Sequence, residues 1–376
     1  MKKHLVLAGG GHAHLTVLLN LAHYLERGHR ATVIMPSSHQ YYSGMGPGML
    51  SGIYRPQEVR FNIRKMVQDR GGAFLEDKVT RINAEGRILG LQSGEEIPYD
   101  VVSFNTGSEV PHPPFLPAPR ERVRTVKPVI NLLQGRQAIL KMLGEKELKL
   151  LVAGGGAAGV ETAANLWRLV RDQKGKARIT LIGGRRVLGH VPGKVRNAVI
   201  RSFSRRGIEI LEGCHLKEVG DREIHMSDGR SLPFDFAFLA LGVKPSSLFA
   251  GSGLPVGEDG GLLVNSRLQS VAHPEIFGGG DCISLAGNAL AKVGVYAVRQ
   301  NPVLYHNLLA ALEGTEMQTF VPQKDYMLIF NLGDGRGILW KKNFVWEGRL
   351  AFLLKDYIDR KFMRKFQVSG EREEKE

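Results

Sequence analysis

Leu150-Leu151-Val152-Ala153-Gly154-Gly155-Gly156-Ala157-Ala158-Gly159-Val160-Glu161 is the stretch on which the reading of the fold turns. An apolar run of β character gives way to G-x-G-x-x-G and then to residues that suit a helix. Glycines there permit a tight turn and a close approach of backbone to a pyrophosphate. The helix beyond aims its free N–H groups and positive dipole end at the same anion. Gly154, Gly156, Ala157 and Gly159 are therefore candidate phosphate contacts, with Glu161 on the first turns of the helix. The helix should reach about Arg171 and feed a strand at Arg178–Ile182. Gly183 and Gly184 occupy the position where an acid commonly holds ribose hydroxyls. Arg185 and Arg186 come next, and arginine in this place suits a 2′-phosphate.

A related unit opens the chain. Leu5-Val6-Leu7 leads into Gly9-Gly10-Gly11-His12-Ala13-His14. The spacing is G-x-G-x-x-H, with His14 where a third glycine is expected, and His14 is read as a local feature of helix packing. Leu15, Leu18, Leu19, Ala22 and Leu25 predict one helix from Ala13 to Glu26, closed by Gly28. A strand at Ala31–Met35 completes a β-α-β unit. Its ribose position carries Pro36, Ser37 and Ser38, so an acid is missing here as well, and Ser37 is a candidate for ribose bonds. Tyr41–Met49, rich in glycine and methionine, suits neither an ordinary strand nor a helix. It is either a surface loop or a loop pressed against a flat ligand.

Each unit has the same sequel. Residues 79–108 and 216–247 each read as a β-meander and then an apolar strand ending in glycine, which is an internal repeat. Two duplicated dinucleotide-binding domains in one chain point to a flavin in one and a nicotinamide in the other. From Ile276 the chain returns to the first unit through Phe277-Gly278-Gly279-Gly280-Asp281-Cys282, and a helix is expected to open near Lys292. The expected fold is α/β with two Rossmann-like domains. These are residues 1–110 with 270–325, residues 111–269, and a C-terminal segment at 326–376.

The 376 residues carry a formal net charge of +14, which favours an acidic partner or ligand. No nucleic-acid module is legible and aromatic residues are only 7%, so nucleic acid ranks last. The two cysteines, Cys214 and Cys282, form no C-x-x-C, which argues against a disulfide framework, a redox dithiol or a zinc site. No metal site is expected. Gly9–Gly11 interrupts the first apolar run too early for a signal peptide, and no stretch approaches the ~20 apolar residues needed to span a bilayer. A cytoplasmic location is expected.

These motifs together resemble the pyridine nucleotide-disulfide superfamily of FAD oxidoreductases. The resemblance is closest to the branch of type II NADH dehydrogenases and sulfide:quinone oxidoreductases. Within that branch the chain is most similar to the flavoprotein domain fused to selenide, water dikinase. The carrying residues are Gly9–His14, Tyr42–Met45, Asn105–Ser108, Gly154–Glu161, Gly280–Cys282, Ala291–Gln300 and Leu354–Met363. The resemblance implies FAD contacts from Gly9, Gly11 and Ala13 to the pyrophosphate, Val79 near adenine, and Thr106 and Gly107 along the path to the ribityl chain. Gly280 and Asp281 would serve the ribityl chain itself, and Lys292, Val293 and Gly294 the pyrimidine edge. His12, Ser37, Ser43, Gly44 and Met45 complete the set. Gly154, Gly156, Ala157 and Gly159, with Arg185 and Arg186, would receive NADH or NADPH. Glu161 and Lys292 are the candidate catalytic or positioning side chains.

The departures narrow the chemistry. The first domain lacks a C-x4-C pair, and neither Gly154–Glu161 nor Ala291–Gln300 contains a cysteine. A persulfide relay is poorly supported, and Cys214 and Cys282 are expected to pack. The expected function is hydride transfer from NAD(P)H to flavin, then two electrons to a quinone-like acceptor. The rivals are a sulfide:quinone oxidoreductase-like enzyme with a reduced-chalcogen donor, and a flavin redox sensor or electron-transfer subunit without turnover.

From Arg349 to Gln367, Leu350, Leu353, Leu354, Tyr357, Ile358, Phe362 and Phe366 are expected to share one helix face flanked by basic residues. That face is either a peripheral contact with the inner membrane surface or a cap on the flavin domain. A homodimer is compatible with the sequence, and Gly370–Glu376 is expected to be disordered.

Overall fold

A computed structural model describes residues 2–110, 121–144 and 146–374. Two five-stranded parallel sheets organise the chain. The first runs Ile276–Gly278, Val101–Phe104, His4–Ala8, Arg30–Met35, Ala73–Glu76. The second runs Val123–Thr125, Phe236–Leu239, Leu148–Ala153, Ala177–Ile182, Glu209–Leu211. Each central strand is buried on both faces, which explains the unbroken apolar runs Leu5–Leu7 and Leu150–Val152. Each sheet is accompanied by a three-stranded antiparallel meander. The first comprises Val79–Asn83, Ile88–Leu91 and Glu96–Pro98, the second Leu216–Val219, Glu223–Met226 and Ser231–Pro233. The α/β fold with two Rossmann-like units is therefore as expected.

A third element closes the molecule. Leu328–Asn331, Gly337–Lys341 and Phe344–Gly348 form an antiparallel sheet, and the helix Arg349–Phe366 packs on it.

Four expectations need correction. The helix expected from Ala13 to Glu26 is broken into a 3-10 turn at His12–His14 and helices at Leu15–Leu19 and Leu21–Glu26. At the break, Asn20 turns its side-chain amide onto the Thr16 carbonyl. Tyr41–Met49 is not a surface loop. A 3-10 turn at Ser43–Met45 leads into a helix at Gly46–Ser51 in which every residue is buried. The glycines serve close packing there: a Cβ on Gly48 would strike the Tyr54 ring.

The apolar face expected on the C-terminal helix is split. Its buried stripe is Ala351, Lys355, Asp359, Met363 and Phe366, whereas Leu350, Leu353, Tyr357 and Ile358 point outward. The tail is also ordered. Glu371 is buried and accepts from the Asn62 amide, while Glu374 pairs with Arg60 at 2.6 Å and His39 at 3.0 Å. Lys375 and Glu376 lie outside the described residues. Charge composition alone predicted disorder, and specific basic partners on the first domain prevailed.

Candidate functional site

A cavity of about 1220 Å³ lies beside the first glycine turn. That exceeds the usual 300–1,000 Å³ of a small-ligand site and suits an elongated dinucleotide. Gly9, Gly11, His12, Ser37, Ser43, Val79, Thr106, Gly107, Gly280, Asp281, Lys292 and Gly294 all line it. These come from five separated parts of the sequence, gathered because the parallel strands end on one side.

Ala13 and Met45 sit beneath the surface, buried. Gly44 contributes its carbonyl to Lys355 rather than its Cα to the cavity, and Val293 caps the helix Gly294–Glu313.

The first turn is held rigidly. Gly9 has φ +91°, and a Cβ there would run into the Asn105 carbonyl. Asn105 accepts from the Ala13 amide at 3.2 Å and donates to the Gly279 carbonyl, so one side chain ties three segments of the cavity wall together. His14 does more than pack. Its Nδ1 bonds the Gly9 carbonyl at 2.7 Å and its Nε2 bonds the Ser103 hydroxyl at 2.8 Å. Burial lowers its pKa to about 4, so it is a neutral ring at physiological pH. The ring replaces the third glycine by stapling the turn from below.

His12 lies at the cavity wall between Tyr42 and Phe362, with ring centroids at 5.2 and 5.9 Å. Its Nε2 is buried without a hydrogen-bond partner among the described residues. An orphaned buried nitrogen at a cavity wall is what a bound polar group would satisfy, and the bare Gly9–Gly11 backbone leaves room for one. The residues fit a flavin dinucleotide.

Asp281 stands in a 3-10 turn, Gly280–Cys282, at the cavity. Burial opposes its ionised form, but Lys127 Nζ at 2.9 Å and the Ser108 hydroxyl at 2.8 Å hold it below the usual carboxylate range. Lys127 lies just past the edge strand of the second sheet, so it crosses from one unit to the other. Lys292, expected at a reacting centre, has its amine committed. It donates to the Ile283 carbonyl at 2.6 Å and pairs with Asp259 at 2.7 Å. Cys282 Sγ is fully buried against the Phe104 and Gly279 carbonyls, and burial raises its pKa. Cys214 is buried beside Arg230.

The second turn is open. Gly154 has φ +134° and abuts the Ala240 carbonyl, while Gly159 packs on the Gly154 carbonyl. Gly156 and Ala157 at the helix N-terminus are exposed, with nothing within 4 Å of a Cβ placed on Gly156. Arg185 and Arg186 are exposed beside this turn.

Glu161 faces inward from the helix Ala157–Asp172 and accepts from the Asn331 amide at 2.7 Å. Burial raises its pKa to about 7, against the pull of Lys355. Lys355 and Asp359 form a buried pair at 2.6 Å on the C-terminal helix. Lys355 also donates to the Gly44 carbonyl at 2.6 Å, and Tyr42 donates to Asp359 at 3.0 Å. Burial disfavours the Lys355 ammonium, but Asp359 and Glu161 overcome this and keep it charged. Sequence reasoning missed Lys355, Asp359 and Lys127 as site residues. The i, i+4 recurrence 351–355–359–363 was a usable signal for the first two. Lys127 had none, because its partner is distant in sequence.

Two linked Rossmann units, one enclosing a dinucleotide-sized cavity and one presenting an open fingerprint, define a flavin- and nicotinamide-dependent oxidoreductase. Residues 3–307 match the model of the pyridine nucleotide-disulphide oxidoreductases, and the chain belongs to that family. Ferroptosis suppressor protein 1 of Taeniopygia guttata is 28% identical over 294 residues, 74% of each chain. The type II NADH:quinone oxidoreductase of Haemophilus influenzae is 24% identical over 85% of this chain and 82% of its own. In fold the chain is similar to NDH2 from Plasmodium falciparum solved in complex with NADH, with a TM-score of 0.82 at 14% identity, covering 99% of this chain and 96% of that one.

Proposed function

We propose that this chain oxidises NADH or NADPH through FAD and delivers two electrons to a quinone. The observation that carries the reading is the set Tyr42, Asp359, Lys355 and Glu161, of which Lys355 and Asp359 are buried and the other two partly so. It joins the cavity-side turn, the C-terminal helix and the second fingerprint helix. FAD when bound supplies hydride acceptance from the nicotinamide and onward electron transfer.

The remaining work falls to the protein. Gly9, Gly11, Asn105 and Asp281 would hold the flavin dinucleotide, and Gly156 and Ala157 the nicotinamide phosphates. Reducing a quinone to a quinol consumes two protons. A carboxyl with a pKa of about 7 beside a charged lysine can hold one at neutral pH. Glu161 is that group, and Asp359 positions Lys355.

The outward side of the same helix fits an apolar acceptor at a membrane surface. Leu350, Leu353, Tyr357 and Ile358, with Phe344 and Trp346 of the neighbouring strand, are exposed. Arg349, Lys361, Arg364 and Lys365 are exposed around them, which is the pattern of a peripheral contact with anionic lipid. No helix among the described residues is long and apolar enough to cross a membrane. The buried, carbonyl-bonded Cys282 gives no support to a persulfide relay.

Anaerobic stopped-flow mixing tests the reading. NADH or NADPH should bleach the flavin, and a soluble quinone should restore its colour. Failure of both nucleotides, with sulfide succeeding, would overturn it.

A further inference from the structure

We propose that the second fingerprint is built for a nucleotide bearing a 2′-phosphate, so that NADPH rather than NADH is the physiological donor. This rests on the functional reading above and goes further, to the loop after the strand Ala177–Ile182. That loop is fixed against the glycine turn. Leu188 N donates to the Gly155 carbonyl at 2.7 Å, and a Cβ on Gly155 would strike the Gly183 carbonyl. Whatever the turn holds by its phosphates therefore meets Gly183–Arg186 at its ribose.

The loop offers the ribose no carboxylate. Gly183 and Gly184 stand where one belongs, and Gly184 has φ +62°, a conformation that L side chains rarely adopt. The acid at hand is Glu212, after the next strand, and it is already spoken for. It accepts from the Val187 amide at 2.6 Å and takes both oxygens to Arg196, at 3.0 and 2.7 Å. Committed in this way to Val187 and Arg196, it leaves Arg185 and Arg186 without an ion pair of their own.

Uncompensated positive charge at the gap comes from one element. Arg185 and Arg186 come from the loop itself. His215 packs 3.4 Å from a Cβ placed on Gly184, and Arg196 of the helix Gly193–Ser204 is neutralised by Glu212. Arg230 is neutralised by Asp228 at 2.7 Å and plays no part. Arg186 feels the Glu212 charge, but neither loop arginine makes an ion pair among the described residues, so both are free to engage a phosphate. The loop supplies no carboxylate for a hydroxyl pair, whereas its two guanidinium groups are of the kind that binds a phosphate dianion bidentately.

The test is calorimetric titration of the FAD-loaded protein with adenosine 2′,5′-bisphosphate and with adenosine 5′-monophosphate. The bisphosphate should bind roughly tenfold or more tightly, with the margin shrinking as salt rises. The exposed pair R185A/R186A should remove the margin, weakening the bisphosphate more than the monophosphate. Equal binding of the two ligands, binding of neither, or a margin that survives R185A/R186A would overturn the proposal. Flavin bleaching by each nucleotide is read in parallel. Bleaching by NADH at least as efficient as by NADPH would sink the donor assignment while leaving the oxidoreductase reading intact. Bleaching by neither would sink the oxidoreductase reading, with the two adenosine ligands still judging the 2′-phosphate site.

Discussion

The two glycine turns of this molecule are built to the same plan and finished differently. The first lies beside a deep cavity, tied by Asn105 to two other segments and stapled from below by His14. The second ends in Gly156 and Ala157 at the surface, with nothing behind Gly156. A ligand on the first turn is enclosed and must be admitted by the protein; a ligand on the second can come and go. That is the difference between a resident prosthetic group and a donor exchanged every turnover. The titratable groups beneath the turns also differ. His14 is held neutral by burial, whereas Glu161 sits near its midpoint at pH 7.

The strongest challenge to this contrast is a side chain at Gly9. Gly9→Val combines φ +91° with a collision against the Asn105 carbonyl, a strain of about 3 kcal/mol or more. Purified protein should lose its flavin absorbance; retention of stoichiometric FAD would show that the first turn is not the rigid one.

Glu161→Gln comes next. The carboxyl is raised from 4.5 to about 7, so the folded state binds more protons than the unfolded chain between those values. Stability is therefore lost as pH rises through this window, by up to about 3 kcal/mol above it. Glutamine keeps the oxygen that accepts from Asn331. The variant should match the parent below pH 4.5 and melt higher at pH 8, while quinone turnover falls. Parallel denaturant curves at the two pH values decide this.

A smaller effect is expected from His14→Ala, which leaves the Gly9 carbonyl and the Ser103 hydroxyl without their partner at a cost of about 2 kcal/mol. FAD should dissociate faster at pH 7. Because burial depresses the pKa from 6.5 to about 4, the ring's contribution is present above 6.5 and disappears as pH falls towards 4. Parent and variant should converge there, and a gap that stays constant with pH would refute the neutral staple.

Gly156→Ala should do least. Its φ is ordinary and its surroundings are open, so the stability of the fold should move by no more than about 0.5 kcal/mol, and any loss of nicotinamide affinity would come from the Cβ standing where the phosphates approach. A large loss of stability, read from denaturant curves, would mean that the second turn is as tightly built as the first.

Both sheets and both meanders were legible because buried parallel strands leave unbroken apolar runs and glycine turns punctuate them. Val79 and Asp281, which line one cavity, could be assigned to a common ligand only through the family resemblance that those motifs carry. The charged interior of the C-terminal helix could not. Lys355 and Asp359 are buried against the usual tendency of such residues, and only because Gly44 and Tyr42, some three hundred positions earlier, supply a carbonyl and a hydroxyl. The same holds for the tail, where composition says solvent but Arg60 and Asn62 say otherwise. The break at Asn20 was equally hidden, since its leucines keep helical spacing across it. Pairings of distant polar groups are the part of a fold that local pattern does not carry.

The edge strand Ile276–Gly278 has one more consequence, for biosynthesis. Asn105 grips the Gly279 carbonyl across a separation of 174 residues, and the whole second sheet is made in between. At ribosomal rates of about 5–20 residues per second, the nascent first sheet waits on the order of 10 to 35 s for its last strand. During that time Val101–Phe104 presents an unpaired edge whose side chains are apolar except for Ser103. Flavin supply and chaperone cover during that interval, rather than the stability of the finished molecule, should govern how much active protein a cell obtains.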